Sequence, residues 1–386
     1  MSVISIYLHI PWCLELCPYC DFNTRAARKW PEERYAKALL AELRQRMQQS
    51  PFAGSSVGTI FMGGGTPSLF APQTISMLLD GIRETGSVVE NAEITLETNP
   101  GSIDLDRLRG FRQAGINRLS LGVQTFTPHL LRALGRQHSV DDSRTALRDA
   151  RSASFTNLSL DLIHAIPGQT AAELQADLDE ALSFGPDHIS AYSLTYEPGT
   201  PLTRDLERGR VQRLGNEEEA EMFETIRKVL PPAGLMAYEI SNFARPGFEA
   251  RHNQAYWRGN PYIGLGAGAH SYRPGKAAEN SFGRRWMNLR EPAEYMESVE
   301  GTGLAEDESE ELTRQQAMGE VCWLALREGR GLDTRNFQSR YGEPTLEAYP
   351  HIPELCEQGM LEWSDDWLRL TPQGLLAADD IFASFF

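Results

Sequence analysis

The chain has 386 residues and carries 53 Asp or Glu against 37 Lys or Arg, a formal charge of −16. That length suits one large core with an accessory module, and that charge disfavours a phosphate backbone as partner. No apolar run reaches the roughly 18 to 20 residues that a membrane span needs, and the N-terminus lacks a signal-peptide pattern. A cytoplasmic protein with no transmembrane segment and no nucleic-acid partner is therefore expected.

In chain order, an apolar run through Tyr7 reads as a buried strand and leads into Cys13, Cys17 and Cys20, spaced C-x3-C-x2-C. From Pro31 to Ser50, Tyr35, Leu39, Leu40, Leu43 and Met47 recur at helical spacing behind a proline. A strand from Val57 to Met62 ends in Gly63, Gly64, Gly65 and Thr66, and a helix pattern occupies Thr74 to Arg83. The alternation continues with strand Glu93 to Thr98, helix Asp104 to Ala114, strand Arg118 to Val123 and helical segments to Ala153. Strand Asn157 to Ile163, helix Ala171 to Phe184 and strand His188 to Leu194 follow. Six strands separated by helices predict an α/β fold with a parallel sheet curled into a partial (β/α)6 TIM-like barrel over residues 1–215. Residues 216–300 read as an extension, with a charged helix from Asn216 to Leu230 and a glycine-rich loop, YIGLGAGAH, from Tyr262 to His270. Residues 301–386 read as a small winged-helix-like module of helices and a short hairpin. It holds 17 Asp or Glu against 6 Lys or Arg, so a DNA-reading role is disfavoured and a docking or lid role is favoured.

Barrels of this kind gather chemistry at the C-terminal ends of their strands. The cysteines follow strand one, the glycines follow strand two, Glu97 ends strand three, Gln124 follows strand four and Asp161 lies late in strand five. Singly, the glycines can be a tight turn, Glu97 a helix cap and Asp161 a loop anchor; together they predict a ligand cleft. Glycines admit close backbone approach, Glu97 can accept hydrogen bonds from an ammonium or ribose hydroxyls, and Arg136 can form a bidentate pair with a carboxylate. Three cysteines are one short of an ordinary structural zinc site or [4Fe–4S] cluster. Two readings stay open: zinc completed by His9, or a cubane with one open iron. Cys322 and Cys356 stand alone in apolar settings and read as core residues.

The cysteine stretch, YLHIPWCLELCPYCDFN, closely resembles the cluster motif of the radical SAM superfamily, in which the open iron chelates S-adenosylmethionine (SAM). Together with GGGTPS, LETNP, SLGVQTF, LGRQHS and LDLIHAIPGQT, it is similar to the oxygen-independent coproporphyrinogen III oxidase group and its relatives, the HemW-type haem chaperones. The resemblance implies cluster ligation by Cys13, Cys17 and Cys20, and SAM contacts from Tyr7, Tyr19, Gly64, Gly65, Thr66 and Glu97. In the oxidase, residues matching Gln124, Arg136 and Asp161 contact a second SAM. Two departures favour the chaperone branch: Phe22 stands where the oxidase carries a further cysteine, and only six residues precede Tyr7 where the oxidase has an extension. RHNQAYW, from Arg251 to Trp257, matches a chaperone-branch motif linked to haem binding. There His252 offers an imidazole for haem iron, Tyr256 and Trp257 offer flat surfaces, and Arg251 can pair with a propionate; a packed histidine is the plainer alternative. The resemblance thus implies a chaperone that binds haem, one [4Fe–4S] cluster and SAM, and hands haem to an acceptor protein, with the respiratory chain one candidate. It allows a homodimer and transient membrane association. Coproporphyrinogen oxidase activity is the alternative, not the expectation.

Overall fold

Alternation along the strands sets the architecture. In β1 (Val3–Ile10), Ile4, Ile6, Leu8 and Ile10 are at most 1% exposed, and they alternate with Ser5, Tyr7 and His9. A strand apolar on one face and polar on the other suits a barrel whose outside packs on helices while its inside holds a ligand. The computed structural model describes residues 2–276 and 279–386. After β1 come two short strands, β2 (Trp12–Cys13) and β3 (Arg25–Ala26), which pair in parallel and close the base of the cysteine loop.

The remaining barrel strands are β4 (Ser56–Gly64), β5 (Ser87–Thr98), β6 (Arg118–Gln124), β7 (Leu158–His164) and β8 (His188–Ser193), each parallel to its predecessor. Helices α1 (Glu32–Arg46), α2 (Pro72–Thr85), α3 (Leu105–Ala114), α4 (Pro128–Ala133), α5 (Val140–Ser152) and α6 (Ala171–Ser183) connect them. Ser139 and Thr170 form capping boxes at the starts of α5 and α6, which fixes where those helices begin. The predicted strands and helices agree with these to within a few residues, apart from β5, which starts six residues earlier than expected.

The sheet also extends at both edges. After α7 (Pro201–Glu207) and α8 (Asn216–Val229), β9 (Met236–Ala237) and β10 (Asn242–Ala244) run antiparallel beyond β8. Helix α9 (Arg251–Trp257) then leads to β11 (Tyr262–Leu265), which is parallel to β1, and to β12 (His270–Pro274), β13 (Gly283–Asn288) and, after α10 (Pro292–Thr302), β14 (Glu306–Glu311). Among the described residues the sheet has 12 strands. The expected glycine-rich loop from Tyr262 to His270 is thus a strand and a tight turn. A Cβ on Gly264 would lie 1.9 Å from the His270 carbonyl oxygen, so glycine is there for close strand packing.

Helix α9 seals the N-terminal end of the barrel. The Glu93 carboxylate accepts from the backbone N–H groups of Arg251 and His252 at 3.1 and 3.0 Å, capping the helix from inside the sheet. The expected extension over residues 216–300 is therefore part of the barrel's sheet and floor. The boundary expected at residue 301 moves as well, because β14 still belongs to the main sheet.

A second apolar core begins at Leu312. It gathers α11 (Arg314–Arg327), β15 (Leu332–Asp333), α12 (Thr334–Tyr341), α13 (Thr345–Ala348), α14 (Ile352–Glu357), β16 (Leu361–Ser364), β17 (Trp367–Leu370), α15 (Pro372–Leu376) and α16 (Ala378–Ala383). Its three-stranded sheet, ordered β15-β17-β16, gives the winged-helix-like layout expected from the alternating segment near the C-terminus. Among the described residues no helix is long and apolar enough to cross a membrane.

Candidate functional site

The C-terminal strand ends open into a cavity of about 920 Å³. Eleven of the thirteen expected site residues line it: Cys13, Cys17, Tyr19, Cys20, Gly64, Gly65, Thr66, Glu97, Gln124, Arg136 and Asp161. Tyr7 and His252 do not.

The cysteines are free and half-buried. Hydrogen bonds tie two of them together across three strand ends. Thr66 Oγ1 donates to Cys13 Sγ at 3.5 Å, and Asn99 Nδ2 donates to Thr66 Oγ1 at 3.0 Å. Arg136 Nη2 donates to Asn99 Oδ1, and Arg136 Nη1 donates to Cys17 Sγ at 3.4 Å. Donors aimed at sulfur favour thiolates and tune a cluster held by them. Burial pushes the Cys13 and Cys20 thiols up, and the neighbouring cysteines add to the effect. Three thiolates in this position therefore call for positive charge among them.

The zinc reading does not fit. His9 Nε2 bonds the Asn23 carbonyl at 2.8 Å and its Nδ1 meets the Tyr7 hydroxyl at 3.1 Å, so neither nitrogen is free.

The glycine run serves the cysteine loop as well as the cavity. A Cβ on Gly65 would lie 2.6 Å from the Trp12 carbonyl oxygen, and one on Gly64 would lie 2.6 Å from the His9 ring. Gly65 N and Thr66 N donate to the carbonyls of Ile10 and Trp12, both at 2.8 Å, which pins the chain entering Cys13. Gly122 was not anticipated; a Cβ there would press on Gln124, Asn99 and Arg136. Gln124 itself has φ of +69°, an uncommon conformation for a non-glycine residue and one held at a site of function.

Glu97 Oε2 accepts from Gly64 N at 3.3 Å. Burial and then the nearby Asp161 carboxyl push its pKa up to about 8, and burial also raises Asp161. Asp161 accepts from Ser120 Oγ at 3.0 Å and Ser190 Oγ at 2.8 Å. Burial disfavours the charged form of both acids, and a cationic ligand bound beside them would favour it, so the pair is suited to receive one.

His252 differs from expectation. It is 1% exposed, stacks on Phe61 at 5.1 Å, and has both ring nitrogens occupied: Nδ1 meets Thr59 Oγ1 and Nε2 meets the Tyr256 hydroxyl, each at 2.8 Å. Burial, then Arg118, pushes its pKa down to about 3. It is a packing residue in the barrel floor, and no nitrogen is offered to an iron in this arrangement. Arg251 does not reach the cavity either: its Nη1 donates to the Asn91 carbonyl at 2.7 Å. The residue of that motif that lines the cavity is Asn253. Tyr7 stacks on Phe61 beneath the lining, with ring centroids 6.2 Å apart. Asn99, Arg118, Ser120, Ser190 and Asn253 are the site residues missed from sequence. For Arg118 and Ser120 a signal was present, since both share strand parity with Gln124.

Residues 7–181 match the model of the radical SAM superfamily, and residues 312–377 match that of the HemN C-terminal domain. A heme chaperone HemW of Bacillus subtilis is 35% identical over 383 residues, covering 99% of this chain and 98% of its own. Radical S-adenosyl methionine domain-containing protein 1, mitochondrial, of Danio rerio is 35% identical, covering 98% and 85%. Among solved structures, the coproporphyrinogen III oxidase HemN of Escherichia coli, a radical SAM enzyme, superposes with a TM-score of 0.83 at 25% identity, covering 100% of this chain and 90% of that one. With a cavity faced by three free thiols on a (β/α)6 scaffold, and with relatives at this identity aligned end to end, the chain belongs to the HemW family of the radical SAM superfamily.

Proposed function

We propose that this protein is a haem chaperone, which carries haem on a radical SAM scaffold and passes it to an acceptor protein. The observation that carries this reading is the extent of the likeness to proteins named heme chaperones, which takes in the cysteine loop, the floor helix and the C-terminal module together. Cys13, Cys17 and Cys20 would hold a [4Fe–4S] cluster, with Glu97, Thr66 and the glycine run facing SAM at its open iron. A cluster of this type supplies an electron to SAM and so opens radical chemistry. The residues matching the second SAM contacts, Gln124, Arg136 and Asp161, share the same cavity.

The geometry favours haem entry from the cavity mouth, not attachment to His252. Leu14, Leu16 and Phe22 line the cavity and are 51%, 52% and 67% exposed. Such a rim suits a flat apolar macrocycle. We place the protein in the cytoplasm, as a monomer or homodimer that meets the membrane only when an acceptor of the respiratory chain resides there.

Anaerobic purification with iron and sulfide analysis, followed by haem titration, tests the cofactors in one preparation. A Soret band on haem addition, and its transfer to an apo-acceptor, is the expected result. Incubation with SAM, reductant and coproporphyrinogen should yield no stoichiometric protoporphyrinogen. Stoichiometric product would instead make the chain an oxidase like the E. coli enzyme it superposes on.

A further inference from the structure

One charge in the cavity takes part in none of the hydrogen bonds or ion pairs described for the site, although it acts on His252 at longer range. Arg118 opens β6 with the same parity as Ser120, Gly122 and Gln124, and it lines the cavity while only 2% exposed. Its Nε has no hydrogen-bond partner, and among the described residues its guanidinium makes no direct ion pair; its charge reaches Asp161 and Glu97 only at longer range, where it lowers both carboxyls against the rise that burial causes. The polar groups nearby are committed elsewhere. Asp161 is taken by Ser120 and Ser190, while His188 is shared between Ser159 Oγ at 2.8 Å and the Tyr238 hydroxyl at 2.7 Å. A guanidinium cannot shed its charge as a buried lysine or histidine can, so leaving it buried and unpaired is costly to the fold. A rigid fork of donors in that state is complementary to one kind of group, a planar carboxylate.

We propose that Arg118 anchors a second, deeper carboxylate subsite, where an acid group of the bound ligand docks against the guanidinium at the cavity floor. It lies six residues down the strand from Gln124 and apart from Arg136 at the rim, which already touches Cys17. Asn253, from the floor helix, lines the same cavity and adds an amide to it. Two ligands could supply the acid: a haem propionate, or the aminoacyl carboxylate of a second SAM, since the carboxylate of a SAM chelated at the open iron is already engaged there. The haem source rests on the chaperone reading; the SAM source does not.

The test uses the full-length, anaerobically reconstituted protein and four probes: haem and its dimethyl ester, and SAM and its decarboxylated analogue. Each is titrated by equilibrium dialysis against wild type, Arg118→Gln and Arg118→Lys. For one pair, the preference for the acid over the neutral form should shrink about tenfold or more in Arg118→Gln, as for a lost charge-assisted pair, and less in Arg118→Lys. Comparing preferences cancels whatever the carboxylate does at the iron, because only the part coupled to Arg118 changes. The pair that responds identifies the source. In the ligand-free state Arg118→Gln should melt within a few degrees of wild type, because no direct hydrogen-bond or ion-pair partner is lost and only the longer-range attraction to Asp161 and Glu97 goes. Unchanged preferences in both pairs overturn the subsite, and so does a marked drop in melting temperature in both variants, which would make Arg118 structural. If wild type binds no haem while its SAM preference depends on Arg118, the chaperone reading fails and the subsite stands.

Discussion

At the level of single residues, Glu97 links the fold to pH. Its ordinary value is 4.5, and in the fold it is pushed up to about 8. Between those values the folded chain keeps a proton that the unfolded chain has released, so stability is greatest at the acid end and falls as pH rises through the window. The slope for one group is at most about 1.4 kcal/mol per pH unit. The ligand-free protein should therefore melt at progressively lower temperature from about pH 5 to about pH 8, and Glu97→Gln should flatten part of that decline. Burial also raises Asp161 and Glu42, so some slope should remain. Parallel slopes for wild type and variant would remove Glu97 from this account. Gly65 makes a different prediction, because the atoms a Cβ would strike belong to the Trp12 backbone. That backbone is held by a hydrogen bond and cannot easily give way. Gly65→Ala should cost about 1–3 kcal/mol and, since Trp12 precedes Cys13, lower the iron bound per chain after reconstitution.

Among the elements, α9 combines its own stability with the shape of the cavity. Glu93→Ala strips the acceptor from two backbone N–H groups and should destabilise the ligand-free protein by about 2 kcal/mol in chemical denaturation. His252→Ala leaves a hole against Phe61 and should cost about 2–4 kcal/mol before any haem is added, so a weaker Soret band in that variant would report a loosened floor as readily as a lost ligand. Wild-type stability in His252→Ala would contradict the packing seen here. This motif also marks where the sequence stopped being legible. Its residues were recognised, but side-chain direction was not, because a seven-residue helix has no periodicity strong enough to show which face it buries. The six barrel strands were readable because each is an apolar run followed by a helix. By contrast, β11 has four residues and a glycine required by packing, and β14 reads EDESEE, with five of its six residues exposed. It holds the sheet edge through cross-strand ion pairs such as Arg285 with Glu310 at 2.6 Å, and a run of acidic residues resembles a solvated loop until its partner strand is known.

For the whole molecule, the question is how the acidic module meets the barrel. Arg258, just after α9, pairs with Glu328, just after α11, at 2.9 Å; the glutamate side chain is 8% exposed and the arginine 46%. The next residue, Gly329, donates its N–H to the Tyr238 carbonyl at 3.0 Å, and the Tyr238 hydroxyl bonds both His188 and the Ala250 N–H. A short chain of contacts thus runs from the module to the helix that floors the cavity and to His188 in its lining. Because Glu328 is nearly buried, removing its partner should cost more than the pair itself is worth. Arg258→Ala should lose about 1–3 kcal/mol and speed limited proteolysis between the barrel and the module, at the junction of β14 and α11 near residues 312–313. Removing both charges should recover much of that loss, since the stranded carboxylate goes too. The double-mutant cycle therefore has a definite sign: the double variant should be more stable than the sum of the two single losses predicts. Strict additivity, or unchanged cleavage in Arg258→Ala, would mean that the module rests on its apolar contacts alone and that this ion pair has no part in coupling it to the cavity floor.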